Sequence, residues 1–185
     1  MKLVLTLLVR DEEDIIRENI LFHLNHGVDF IIATDNKSVD GTKDILKEFE
    51  KQGVLRYIFE PTDDYSQWKW VTRMARLAAT KYQADWVINA DADEFWLPTK
   101  GNLKDVIEKI PADVSVVGVE RKNFMTVNRK HVHFYKDMIY RDRKSLNSLG
   151  KPLPPKVCHR ASINVVVEQG NHNIFEPKNI FKTNS

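Results

Sequence analysis

One cysteine, Cys158, leaves this chain no internal disulfide, which fits a reducing compartment and a small buried residue. A glycine-rich phosphate loop is missing too, with neither a dinucleotide fingerprint nor a Walker sequence in any of the 185 residues. No apolar run is long enough to span a membrane. The opening stretch Met1–Val9 is apolar but short, acids follow it at once, and no small-residue cleavage site ends it, so it reads as a first strand. A net charge of only +2 argues against a polyanion-binding surface and therefore against a nucleic-acid partner, although Arg121–Arg143 is locally basic. Internal repeats, low-complexity segments and an obvious linker are likewise absent. These absences make a cytoplasmic protein the default, with peripheral attachment at the inner membrane face as the variant.

What is present is an ordinary globular composition, 42% hydrophobic and 29% charged, and enough chain for one domain with a full core. Leu3–Val9 is continuously apolar, as a strand buried on both faces should be. Asp14–His26 carries Ile15, Ile16, Ile20, Leu21 and Leu24 at helical spacing, with Gly27 as its C-terminal stop. Strands are expected over Val28–Thr34 and Val54–Phe59. Between them lie the turn-forming run Asp35–Thr42, with Asp40 or Thr42 as a cap, and a helix ending near Gly53. A long helix capped by Ser66 should reach about Tyr82 and bury Trp70, Met74, Leu77 and Ala78. A strand leads into Asp91, a short helix covers Leu103–Ile110, and Val114–Val119 is expected to be another buried strand. Strands and helices alternating in this way indicate an α/β fold with a mostly parallel, Rossmann-like sheet flanked by helices. After Glu120 the rhythm fades. Lys144–Pro155 reads as a loop, Val157–Val167 should include a strand, Glu168–His172 is a turn, and the last dozen residues show no pattern.

Ligands of open α/β sheets bind outside the carboxyl ends of the strands. Three polar clusters fall there: Arg10–Glu13, Asp35–Ser38 and Asp91–Glu94. An isolated Asp-x-Asp is most often a solvated turn, but this one ends the run Asp85–Ala90, which reads as a buried strand. If the chain stays extended, Asp91 and Asp93 point to the same side, and two like charges so close are costly unless a cation neutralises them. Oxygen ligands suit Mg²⁺ or Mn²⁺. Without a phosphate loop, a metal and basic side chains must meet phosphate charge, and that combination points to a nucleotide diphosphate.

The Asp35–Thr42 loop and Asp91-Ala92-Asp93 after a fourth strand resemble family 2 glycosyltransferases of the GT-A fold. Arg10–Glu13, His23-Leu24 with Gly27-Val28-Asp29, and Asp91–Trp96 are similar to the family 2-like branch whose metal motif continues into Glu-Phe. The resemblance is specific over residues 1 to about 100. It implies a metal-dependent glycosyltransferase that moves a sugar from a UDP- or GDP-linked donor to a glycan or other hydroxyl acceptor, usually with inversion. It implies one domain, with residues 1–97 holding donor and metal and residues 98–185 forming a minimal or truncated acceptor side. By position, the resemblance gives Asp35 to the nucleotide base, and the backbone at Val9 and Arg10 to the base and ribose pocket. Gln67 and Arg73 fall on the helix that approaches the donor, with Arg73 set against the diphosphate. Asp91 faces ribose or metal, Asp93 is the direct metal ligand, and His172 in Gly170-Asn171-His172 completes the metal sphere. Glu94 would orient a ligand or face the acceptor.

The acceptor hydroxyl also needs a base, for which Glu120 is the first candidate and Glu168 the second. His159 and the pair His131/His133 are weaker metal candidates, because no Asp or Cys stands near the pair. The rival readings are a non-catalytic module that binds nucleotide-sugar or glycan, and a metal-dependent nucleotidyltransferase. The acidic Arg10–Glu13 loop disfavours the latter.

Overall fold

The computed structural model describes residues 1–63, 66–125 and 137–175. Strands β1 (Leu3–Val9), β2 (Phe30–Asp35), β3 (Leu55–Phe59) and β4 (Trp86–Asp91) alternate with helices α1 (Ile16–Asn25), α2 (Thr42–Lys51) and α3 (Gln67–Thr80). The short helix α4 (Leu103–Ile107) and strands β5 (Val116–Val119), β6 (Phe124–Met125), β7 (Tyr140–Arg141), β8 (Lys156–Arg160), β9 (Val166–Val167) and β10 (Ile174–Phe175) complete the chain. The main sheet runs β3-β2-β1-β4-β8-β5. Its first four strands are parallel, and Leu5 of β1 lies between Ile31 of β2 and Ile88 of β4.

Burial on both faces explains the apolar run of β1, in which the one polar residue, Thr6, is buried and donates to Asn89 Oδ1 at 2.8 Å. Leu3, Leu5, Leu7 and Val9 pack with Ile16 and Ile20 of α1, Leu46 and Phe49 of α2, and Leu103 and Ile107 of α4. Val4 on the other face joins Val71, Met74, Ala75 and Ala78 of α3 and Val167 of β9. The stripe expected on α3 is the buried one, although Leu77 is only partly covered. At the end of α1 the chain reverses through Gly27 at φ 100°, a conformation that costs glycine little. Asn102 and Asp105 cap α4 reciprocally, each side chain accepting the other's backbone N–H.

Several sequence expectations need correction. Helix α1 begins at Ile16 rather than Asp14, because residues 12–15 form a tighter turn in which the Ile15 and Ile16 N–H groups both donate to the Glu12 carbonyl. Strand β2 starts at Phe30, since the Val28 N–H is spent on the His23 carbonyl. Strand β5 is a half-exposed edge rather than a buried strand, because β8 is its sole neighbour in the sheet. The segment Val157–Val167 divides into β8 and β9. Strand β8 enters the sheet antiparallel between β4 and β5, so the sheet is mixed at this end. None of the helices among the described residues is long and apolar enough to cross a membrane. His131 and His133 lie outside the described residues.

Candidate active site

The loops that leave β1 and β2 interlock at the carboxyl rim of the sheet. Asp11 sits at φ 55° and Lys37 at φ 63°, a strained region in which short polar residues are best tolerated. The Asp11 carboxylate accepts the Val39 N–H at 2.7 Å, and the Asp11 N–H donates to Ser38 Oγ at 3.0 Å. Glu12 N–H donates to Thr42 Oγ1 at 2.8 Å, and Glu13 Oε2 accepts the Gly41 N–H at 2.6 Å. A Cβ at Gly41 would stand 2.7 Å from that same oxygen, so a larger residue there would displace the Glu13 carboxylate. Arg10, at the end of β1, is exposed and donates to Asp63 at 2.8 Å, while Val9 is buried beside it.

Asp35 ends β2 fully buried. One of its oxygens accepts the Ser38 N–H at 2.9 Å and the other accepts the Tyr57 hydroxyl at 3.1 Å. Burial and the adjacent Asp35 charge push the Tyr57 phenol up to about 12, so it stays protonated and donating. On α3, Arg73 pairs with Glu60 at 3.0 Å, and Gln67 accepts from Gln169 Nε2 at 3.0 Å. The latter bond joins the start of α3 to the turn after β9.

Asp91, at the end of β4, meets a cation. Lys156 of β8 is buried, and its Nζ donates to Asp91 Oδ2 at 2.6 Å and lies 3.0 Å from Glu94 Oε1. Asn171 Nδ2 donates to the other Asp91 oxygen at 3.1 Å. Gly170 at φ 77° and Asn171 at φ 61° are consecutive left-handed residues, and Gln169–Asn171 forms a single 3-10 turn there. Arg121 stands 3.7 Å from Glu94. Burial raises the Glu94 carboxyl above its ordinary range, the Lys156 charge opposes this, and Asp91 adds to it.

The chain does not stay extended past Asp91. A turn closes with the Glu94 N–H donating to the Asp91 carbonyl at 3.1 Å, and Glu94 Oε2 accepts the Asp91 N–H at 3.2 Å. This corrects the expectation that strand alternation alone would align Asp91 with Asp93. The turn buries Ala92 in the core and leaves Asp93 exposed. Glu12 is pushed up to about 7 by burial and by the carboxylates of Asp93, Asp14, Asp40 and Asp91. Carboxylates thus gather on the β1–α1 side of the rim, whereas Asp91 is paired with Lys156.

The remaining candidates scatter. Glu120 is exposed and bonded to Lys122 at 2.7 Å, which holds its carboxyl below the ordinary range. Glu168 is exposed between β9 and the 3-10 turn. His172 Nδ1 donates to the Pro155 carbonyl at 2.9 Å, which leaves Nε2 as a lone-pair donor. His159 is buried in β8, with its Nδ1 on the Arg160 carbonyl. Sequence reading missed Lys156 and Asn171. The available signal was a lysine two positions before Cys158 in a short expected strand, a spacing that places both on one face.

Among the described residues, no three His, Cys, Asp or Glu side chains come together closely enough to cage a metal. Of the metal ligands expected from the sequence, Asp93 is exposed, His172 is partly buried on the Pro155 carbonyl and Asp91 is held by Lys156 and Asn171, so the three do not form one cluster.

Fold and rim together define a GT-A-type α/β domain. The family model of glycosyltransferase family 92 matches residues 6–184, and the chain belongs to that family. The resemblance read from the sequence was to the family 2-like branch, so it holds at the level of glycosyltransferases. Among solved structures, S. aureus TarS 1-349 in complex with UDP is 18% identical with a TM-score of 0.56, over 87% of this chain and 47% of TarS 1-349. A 4-diphosphocytidyl-2C-methyl-D-erythritol synthase is 14% identical with a TM-score of 0.50, over 86% of this chain and 75% of the synthase. The chain thus spans less than half of the TarS 1-349 structure. None of the curated protein sequences matches it.

Proposed function

We propose that this chain carries the donor site of a glycosyltransferase that takes a sugar from a UDP- or GDP-linked donor and passes it, with inversion, to a glycan or other hydroxyl acceptor. The observation that carries this reading is the gathering of acids at the rim: Asp93 is exposed after β4, and Glu12 and Asp40 of the neighbouring loops stand near enough for their charges to act on one another. Such a field favours a divalent cation, and the cation in turn recruits a diphosphate. Asp93 and His172 would hold Mn²⁺ or Mg²⁺, and Asp91 would add an oxygen only where Lys156 releases it. When bound, the ion supplies Lewis-acid stabilisation of the departing diphosphate.

The chain's own residues do the rest. The interlocked loops at Arg10–Glu13 and Asp35–Thr42 form a stiff floor on which the nucleoside can lie, with the backbone at Val9 and Arg10 toward base and ribose. Asp35, buried with both oxygens bonded, braces this floor and reaches the base only by giving up one of those bonds. Arg73 reaches the diphosphate by exchanging Glu60 for phosphate oxygens, and Gln67 lies one helical face away at the start of α3. A base taking the acceptor proton works best with a pKa near the operating pH. Lys122 makes Glu120 a weaker base, and the exposed Glu168, three residues from the Asp91 partner Asn171, is the better placed of the two.

The test is thermal unfolding with UDP and GDP, each with and without Mn²⁺ or Mg²⁺. A rise in Tm that requires both nucleotide and metal supports the reading, and equal stabilisation by every nucleotide without metal refutes it. Release of free UDP or GDP from a nucleotide-sugar separates a transferase from a non-catalytic binding module.

A further inference from the structure

Helix α1 buries an amide and an imidazole, Asn19 and His23, four residues apart on one face and among the aliphatic side chains of Ile16 and Ile20. Burying two such groups is unfavourable unless hydrogen bonds compensate. Both side chains are hydrogen-bonded, and the bonds that leave the helix go to one place. Asn19 Nδ2 donates to the carbonyls of Ala92 and Glu94, both at 2.8 Å. His23 Nε2 accepts the Trp96 N–H at 3.1 Å. Because Nε2 accepts, Nδ1 carries the proton, and it donates to Asn19 O at 2.9 Å and Asn19 Oδ1 at 3.0 Å.

The three clasped backbone groups belong to alternate residues of the loop leaving β4. Sheet pairing has ended there, at Ile88 toward β8 and at Asp91 toward β1. Without the Asn19 and His23 side chains, those groups would lose the partners that α1 supplies beneath its cover. Phe95 packs edge-on against Phe22 at 5.2 Å and Trp96 is nearly buried, so the same helix also covers the loop's aromatic residues.

We propose that Asn19 and His23 are positioning residues: they clasp the backbone at Ala92, Glu94 and Trp96 and thereby fix where Asp93 stands on the rim. Their bearing on ligand binding rests on the donor-site reading above. The clasp also gives a physical meaning to the His23-Leu24…Gly27-Val28 stretch, which no part of that reading uses.

The test compares Asn19→Ala, His23→Leu and His23→Gln with the unaltered protein. A core variant, Phe49→Leu, serves as a control for general loss of stability. Metal-dependent UDP affinity should fall at least tenfold in N19A and H23L, recover in H23Q, whose amide can accept the Trp96 N–H, and stay unchanged in F49L. Equal losses in F49L, or wild-type affinity in N19A and H23L, would overturn the clasp. If the unaltered protein itself binds no UDP, the donor-site reading fails, and amide hydrogen exchange decides the clasp separately. Faster exchange confined to the Trp96 segment in H23L supports it, and uniform acceleration across β1 and β4 overturns it. Nitrogen NMR of His23 applies even where N19A does not fold: a proton on Nδ1 supports the arrangement, and a proton on Nε2 refutes it.

Discussion

Replacing Lys156 with methionine would keep most of the buried methylenes but remove the cation from two carboxylates. The Asp91 and Glu94 oxygens that it bridges lie within 2.6 and 3.0 Å of one nitrogen. They are therefore about 5 Å apart, and at an effective dielectric near 20 their repulsion is about 3 kcal/mol. The Asp91 side chain is 44% exposed, against 16% for Glu94, so solvent screening reduces the expected loss to about 2 kcal/mol. The pH dependence follows from Glu94, whose carboxyl already lies above its ordinary range and would rise further. A carboxyl with a raised folded-state pKa adds stability at low pH and loses it as pH rises through that value. Urea unfolding should therefore show K156M close to wild type at about pH 4 and about 2 kcal/mol less stable at about pH 8. Freed of the lysine, the two carboxylates should also take up Mn²⁺, so the metal should raise the Tm of K156M more than that of the unaltered chain. A deficit independent of pH, or no larger response to metal, would refute the charge argument.

Asp93→Ala should abolish the metal-dependent stabilisation by UDP while leaving the unfolding free energy without ligand within about 1 kcal/mol of wild type, because exposed substitutions are usually mild. Burial holds the His23 imidazole down to about 4, with the neighbouring His26 adding to the effect. An imidazole with a depressed folded-state pKa loses its stabilisation as pH falls below the unfolded value, so the advantage of the native protein over H23Q should shrink by about 3 kcal/mol between pH 7 and pH 4 in urea titrations. Glu168→Gln should lower kcat about 10²-fold or more if Glu168 is the base, whereas Glu120→Gln should change it only severalfold; the reverse order in a UDP-release assay would exchange the two roles.

Much of the fold could be read in the chain because β1 and β4 are mostly apolar, their buried Thr6 and Asn89 bonding to each other, and helices intervene at regular intervals, so local pattern and topology agree. The antiparallel entry of β8 could not be read. A five-residue strand carries no directional signal, and its partner β4 lies some 70 residues earlier. The candidate site divides in the same way. Three polar clusters at strand ends were visible from spacing alone. The company kept by Asp91 was not, since Lys156 and Asn171 are 65 and 80 residues away in sequence. Alternation also misjudged the turn at Ala92-Asp93, because a side chain–backbone bond from Glu94 outweighed strand continuation there.

Strand β8 joins β4 to β5 in time as well as in space. As a nascent chain leaves the ribosome, β1 to β4 emerge with the Asp91 and Glu94 charges unmatched, and the lysine that balances them follows some 60 residues later. The early portion must therefore wait, incompletely settled, for a late-arriving strand to close the sheet beside it. A fragment ending soon after Trp96 would expose the side of β4 that β8 covers and retain two acids with no counter-ion, a poor prospect for an autonomous folding unit.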